Sequence, residues 1–272
     1  MKLIHKKNYI KYFLNKSIYK IFNFEKDFER DFIKKLEKDY GKKNNLAEII
    51  AEEVINNGFI KLPGLDEEYL NKITEEYNHV ISCYKDLNID CLEEEGILAK
   101  LVPLWRLNPS KFKYSFSFFR NKFFFDIAKN FYLKKNIKNF SFNNEAFFHK
   151  TIATKNPLSG DYHYDVRQTL KFWLYMNDIN DKNGPMSVEK GSAKRNQLHK
   201  LEVGHQILSE KRGQNNVNVV KENCFKLTGK KGSIFIHDTD SSHKANNVYE
   251  GYERNIIRAH TWKQNNFIKK FI

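Results

Sequence analysis

His163 and Asp165 place an imidazole and a carboxylate one residue apart. In a strand, residues i and i+2 project from the same face, so both side chains can reach one point in space. Such a pair plus one distant histidine makes a 2-His-1-carboxylate set, which grips Fe(II) from one side and leaves the opposite positions open. His243 is the best third member. It follows GKKGSIFIHDTDSS, a glycine turn and an apolar run that ends in polar residues, so it belongs at a strand exit, where loops build sites. His237 and Asp240 are an alternative ligand set, and Asp238 or Asp240 could equally be groups that orient His243. Farther on, Arg254 opens RNIIRAHTW, where a planar guanidinium can hold a carboxylate by two parallel hydrogen bonds. Taken singly, each signal is weak: the chain has nine histidines, His243 also reads as a solvated loop residue, and Arg254 as a surface strand arginine. Their joint order and strand context carry the argument.

The elements that must position these residues lie mostly in the second half. Glu145 to Thr154 alternates as a strand leading to the pair, with turns at Asn156-Pro157 and Ser159-Gly160 before it. Thr169 to Met176 reads as a strand in which Lys171 and Trp173 share one face; a structural role for Trp173 is as good a reading as one in a site. Asn183-Gly184-Pro185 is a turn, and Met186 to Glu189, Phe225 to Thr228 and Ser233 to His237 supply further strands. After Arg254, alternation puts Ile256, Arg258 and His260 on one side. An inward Arg258 needs an anion, because an unpaired buried charge is costly; substrate, an internal carboxylate and a cosubstrate are all open.

Helices gather in the first half. Ile10, Phe13, Leu14, Ile18, Ile21 and Phe22 recur at helical spacing among lysines, which fits a basic helix lying on an anionic membrane, docking on a partner, or packing on its own domain. Residues 25 to 45 continue as a charged helix closed near Gly41; Leu46 to Asn57 is another, ended by Gly58 before a short strand, Phe59 to Leu62. Asp66 caps a helix to about Asp86, Asn88 to Lys113 is irregular around Pro103 and Pro109, and Ser115 to Lys135 reads as one buried aromatic helix. Trp105 and Arg106 could line a pocket mouth, although core packing suits Trp105 better. Residues 193 to 213 read as a mobile, basic insert with His199 and His205 facing solvent. Helices first and short strands later suggest an α+β fold.

A chain of 272 residues suits one sizeable domain with a small extension: residues 1–45 as the basic helical extension and 46–272 as the catalytic domain. Cys83, Cys91 and Cys224 are an odd set without Cys-X-X-Cys spacing, which favours a reducing, cytoplasmic setting. No apolar run is long enough to span a bilayer, and lysines and asparagines interrupt any signal-peptide core. A net charge of +14 suits an acidic substrate, a membrane surface or nucleic acid, but lysine is spread along the chain and no nucleic-acid motif is present, so a lysine-biased solvated surface fits as well and no nucleic-acid partner is expected.

Three blocks carry a resemblance to a known family. NNGFIKLPGLDEEYLNKI, HYDVRQTLKFWLYMNDINDKNGPMSVEKGSAK and GSIFIHDTDSSHKANNVYEGYERNIIRAHTW resemble the phytanoyl-CoA dioxygenase family of Fe(II)/2-oxoglutarate oxygenases over residues 46 to 263, most specifically in the last two blocks. The resemblance implies a double-stranded β-helix, a cupin-like jelly-roll barrel with supporting helices mainly from the N-terminal half. It implies His163, Asp165 and His243 as iron ligands and Arg254 as partner of the distal carboxylate of 2-oxoglutarate; strand register leaves Lys150 or His149, and the face of Trp173, as further cosubstrate neighbours. Lys171 and Arg258 are the substrate-side candidates. It also implies a hydroxylase that consumes dioxygen and 2-oxoglutarate and acts on an aliphatic carbon; the basic surface points to a small-molecule, lipid or saccharide substrate, and the basic amphipathic start to peripheral membrane contact through residues 1–24. The loop often written Pro-Gly-Ser-His is here Lys190-Gly191-Ser192-Ala193, so its histidine is missing. A non-catalytic jelly-roll module that binds a carbohydrate or protein partner is the alternative.

Overall fold

Alternate residues of TLKFWLY divide one strand between two environments. Leu170, Phe172 and Leu174 join an apolar core on one face, while Lys171, Trp173 and Tyr175 project from the other. The computed structural model describes residues 24–82, 91–94, 97–103, 112–142, 145–153, 160–203 and 214–263.

The strands form two antiparallel sheets. The larger contains β1 (Phe59–Leu62), β2 (Cys91–Glu94), β3 (Ile97–Pro103), β4 (Phe140–Phe142), β5 (Glu145–Ile152), β7 (Thr169–Tyr175), β11 (Ile234–Asp238) and β13 (Glu253–Lys263). Its order is β1-β11-β7-β13-β5-β3-β2, with β4 also paired to β13. The smaller contains β6 (His163–Asp165), β8 (Met186–Glu189), β9 (Gln214–Asn216), β10 (Cys224–Leu227) and β12 (His243–Ala245), in the order β10-β8-β12-β6-β9. From β5 onward the chain steps repeatedly between the sheets, the path of a jelly roll, and the described residues close no barrel. The α+β jelly-roll expectation therefore holds as two packed sheets.

Helices α1 (Phe24–Tyr40), α2 (Leu46–Asn57), α3 (Glu67–Ser82), α4 (Lys113–Arg120) and α5 (Lys122–Lys134) supply the layer outside the larger sheet, and α6 (Ala193–Val203) follows β8. Leu46, Ile50, Ala51 and Val54 are buried along one stripe of α2. Phe124 of α5 stacks on Phe172 of β7 with ring centroids 5.0 Å apart, which joins helices to sheet. Each fully buried side chain of this size contributes about 1.5–3 kcal/mol through area removed from water. Phe32 and Leu36 of α1 lie in the same core, so this helix docks on the rest of the chain. A second cluster, Trp173, Tyr175, Phe235 and Ile256 with Met186, Val188 and Leu227, joins the inner faces of the two sheets.

Gly58 ends α2 in the left-handed region, with φ 87°, and donates to the Val54 carbonyl. A Cβ there would lie 2.3 Å from Ser241 Oγ, so only glycine allows this approach.

Three expectations change. Residues 88 to 113 are not irregular throughout: β2 and β3 lie there, and β3 pairs with β5 from Ile97 opposite Thr151 to Pro103 opposite Glu145. Proline is tolerated because it falls at the last residue of the strand. The aromatic helix is two helices, broken where Asn121 adopts extended φ/ψ and its side chain accepts from Phe124 N as an N-cap. Residues 193–203 are helical, and His199 bonds to the Tyr164 hydroxyl at 2.7 Å instead of facing solvent alone. The basic stretch 1–23, Cys83, Trp105, Arg106 and His205 lie outside the described residues. Among the described residues no helix is long and apolar enough to cross a membrane.

Candidate metal centre

Two short strands of the smaller sheet bring the candidate ligands together. His163 pairs directly with His243 across β6 and β12, their ring centroids 4.6 Å apart, and Asp165 follows on the same face of β6. One ligand atom from each of His163, Asp165 and His243 lies within 4.8 Å of the others. His243 Nε2 stands 3.6 Å from Asp165 Oδ1, and the His243 side chain is only 3% exposed.

Both imidazoles are held in the same way. His163 Nδ1 bonds the Asp161 carbonyl at 2.9 Å, and His243 Nδ1 bonds the Ser241 carbonyl at 2.8 Å. A carbonyl only accepts, so each Nδ1 carries a hydrogen and Nε2 is the atom that each ring can offer to the centre as a ligand. Burial, with the neighbouring His243, pulls the His163 pKa below the ordinary histidine range, which keeps that ring in the ligating form. Burial by itself would raise Asp165, but Lys171 and His243 overcome it and hold the carboxyl well below the usual range. Lys171 Nζ donates to Asp165 Oδ2 at 2.8 Å, leaving Oδ1 toward the histidines. Two imidazole lone pairs and one carboxylate oxygen suit a divalent first-row ion such as Fe(II).

The floor of the site is the inner face of the larger sheet, and register decides who reaches it. Thr151, His149 and Phe147 of β5 stand opposite Arg254, Ile256 and Arg258 of β13 and share their face. Lys150 therefore points to the other side, where it pairs with Glu253 at 2.7 Å, and His149 is the one of the two that turns to the inner face. Arg254 donates from Nη1 to the Gly184 carbonyl at 2.6 Å and from Nη2 to Thr151 Oγ1 at 3.4 Å, while its buried Nε has no partner. Arg258 lies over Phe147 and Trp173 at 4.8 and 5.1 Å, and burial pushes its pKa down to about 10. Burial and the two arginines also drive His149 well below the histidine range.

His237 is no ligand in this arrangement. Trp173 Nε1 donates to its Nδ1 at 2.8 Å, so the hydrogen of the neutral ring sits on Nε2, a buried donor without a partner. Its ring lies 5.2 Å from that of His243. Asp240 takes Lys200 at 2.5 Å and Gln197 at 2.8 Å, and Asp238 takes Lys135, so neither touches His243. They anchor the loop that carries it: Asp240 N bonds Asp238 Oδ1, and Asn196 holds both the Asp240 carbonyl and Ser242 Oγ. In the loop without its histidine, Ser192 Oγ accepts from Ser242 N, keeping that connection by a hydroxyl. Sequence reasoning missed the two carbonyls that orient the imidazoles and the partnerless Nε2 of His237; backbone partners leave no residue-type signal.

The sequence profile described as phytanoyl-CoA dioxygenase (PhyH) matches residues 56–249, more than half of the chain. The match contains all three candidate ligands and stops short of Arg254. No curated protein matches the sequence. Among solved structures, the epimerase SnoN in complex with Fe3+, alpha ketoglutarate and nogalamycin RO aligns with a TM-score of 0.59 at 11% identity, over 81% of this chain and 85% of that one. The non-heme alpha ketoglutarate dependent carbocyclase SnoK from nogalamycin biosynthesis gives 0.51 at 11% identity, over 82% and 90%. AviO1 from Streptomyces viridochromogenes Tue57 gives 0.51 at 11%, over 79% and 93%. At such identity the likeness is one of fold.

Proposed function

The chain belongs to the phytanoyl-CoA dioxygenase family, and from that premise we propose that it is an Fe(II)- and 2-oxoglutarate-dependent dioxygenase that hydroxylates an aliphatic carbon of a small organic substrate. The observation that carries this reading is the His163, Asp165 and His243 cluster with both Nδ1 atoms tied to carbonyls. Fe(II) with 2-oxoglutarate and dioxygen supplies oxidation of an unactivated C–H bond, the cosubstrate leaving as succinate and carbon dioxide.

The chain's own residues bind, orient and exclude water. His163, Asp165 and His243 would hold the ion from one side. Lys171 fixes Asp165 through one oxygen, so the carboxylate offers the other. Arg254 would take the distal carboxylate of 2-oxoglutarate with its planar fork, and the partnerless Nε is the vacancy that such a group fills. Trp173 lines the floor opposite Arg258 and locks His237 by its indole hydrogen bond. Val188, Met186, Leu227 and Ile256 keep the space between the sheets apolar. The carboxylate at Asp165 leaves no ligand position for chloride, so oxygen and not halogen is transferred. SnoN, crystallised with nogalamycin RO, supports a small-molecule substrate; a saccharide or lipid class, and membrane contact through residues 1–24, rest on the basic composition alone.

The test is the weak visible charge-transfer band that forms when Fe(II) and then 2-oxoglutarate are added anaerobically to metal-free protein. We expect a band that His163→Ala abolishes and that Arg254→Gln shifts to about 10–100-fold higher 2-oxoglutarate, as loss of a buried charge partner costs several kcal/mol. No band from folded protein overturns the oxygenase and leaves a binding module for a carbohydrate or protein. A product that gains no oxygen atom, or gains chlorine, overturns hydroxylation alone.

A further inference from the structure

Arg258 is the charged group of the inner face that the reaction above does not use. On β13 it stands between Phe147 of β5 and Trp173 of β7, its partners in register on either side, and the two rings flank its guanidinium. This leaves the N–H edge of the fork directed away from the aromatic faces. Its Nε is buried without a hydrogen-bond partner, and no described carboxylate pairs with it within ion-pair distance. Asp165 is the carboxylate whose field reaches it, yet Asp165 is bonded to Lys171 and turned to His243. A second partnerless nitrogen, His149 Nε2, lies on the same face, on the strand beside it. Buried donors without partners are costly, so a site built from them is completed by an acceptor.

The cosubstrate cannot complete both forks. Residues i and i+4 of a strand lie about 13 Å apart along it, which separates the backbones of Arg254 and Arg258. A dicarboxylate with one end on the ion has one further carboxylate to give, and Arg254 takes it. We propose that Arg258 anchors an anionic group of the substrate, a carboxylate or a phosphate, in the space between the two sheets and apart from the carboxylate held by Arg254. This rests on the oxygenase reading for where the cosubstrate lies, and it makes the substrate an anion with its reacting carbon toward the ion.

The experiment is calorimetric titration of protein loaded with Co(II) and 2-oxoglutarate under argon, using hexanoate, hexyl phosphate and neutral 1-hexanol as probes. At least one anion binds and the alcohol does not; which anion binds separates carboxylate from phosphate recognition. Arg258→Gln weakens that binding by more than about tenfold, Arg258→Lys restores part of it, and 2-oxoglutarate affinity stays within about twofold of the parent. Arg254→Gln gives the converse pattern. Unchanged probe binding in folded Arg258→Gln, binding of neither anion, or a loss of 2-oxoglutarate affinity matching that of Arg254→Gln overturns the proposal; the last assigns Arg258 to the cosubstrate. Should ion and 2-oxoglutarate fail to bind at all, the oxygenase reading falls, while the same probes on metal-free protein still decide whether Arg258 holds an anion.

Discussion

The two faces of the larger sheet are made by the same strands and differ in almost everything else. Toward the helices stand Phe148, Leu170, Phe172, Leu174, Ile234, Ile236 and Ile257, all buried in one apolar cluster. Toward the smaller sheet stand His149, Lys171, His237, Arg254 and Arg258, with Trp173 and Tyr175 among them. One residue of slip in β13 would turn Arg254 and Arg258 toward the helices and Ile257 toward the site. The apolar face specifies the register, and the register then delivers cations to the site without any local preference for placing them there. Stability and chemistry are thus assigned to alternate residues, which makes them separable by mutation.

The largest effect expected from breaking that comparison is on the apolar face. Phe172→Ala should cost about 3–5 kcal/mol through lost transfer energy and the cavity beside Phe124. Denaturant unfolding reads it, and metal affinity per folded molecule should be unaltered; a matching loss of metal affinity would mean that the faces are not independent. On the opposite face, Lys171→Met should leave the unfolding midpoint of metal-loaded protein nearly unchanged yet lower 2-oxoglutarate turnover by about 10–100-fold, because the carboxylate loses the group that orients it. Full turnover would show that Asp165 needs no such partner. The smallest effect sharpens the register: Lys150→Ala, on a pair whose side chains are 33% and 41% exposed, should cost less than about 1 kcal/mol and leave 2-oxoglutarate affinity alone. A clear loss of that affinity would return Lys150 to the site.

How much was legible follows from the same alternation. In TLKFWLY and RNIIRAHTW the pattern shows which residues share a face, and in His163-X-Asp165 the period of two is the chemistry itself. His243 and Arg254 stood out by strand context alone, and the family resemblance gave them their roles, since their meeting depends on contacts across the fold. What was not legible was set by partners. Whether Lys150 or His149 turns inward depends on pairing with β13, and β3 owes its place to β5 and β2 to β3, so an isolated reading of 88 to 113 sees only breakers. Asn121 divides an aromatic run that periodicity alone would keep continuous, because a capping side chain competes with the helix it interrupts.

Gly58 closes a helix in the left-handed region, and a second reason for glycine there lies outside the helix. Its carbonyl receives Asp238 N, and its bare Cα fits against Ser241, whose own carbonyl steers His243. A side chain at position 58 would therefore press on the loop that aims a ligand, with every ligand still in place. Mutational tolerance at the end of α2 is then set by the metal centre as well as by the helix cap. Substitutions there would be epistatic with changes at Ser241, and a chain could forfeit its ion through a residue that no inventory of ligands would include.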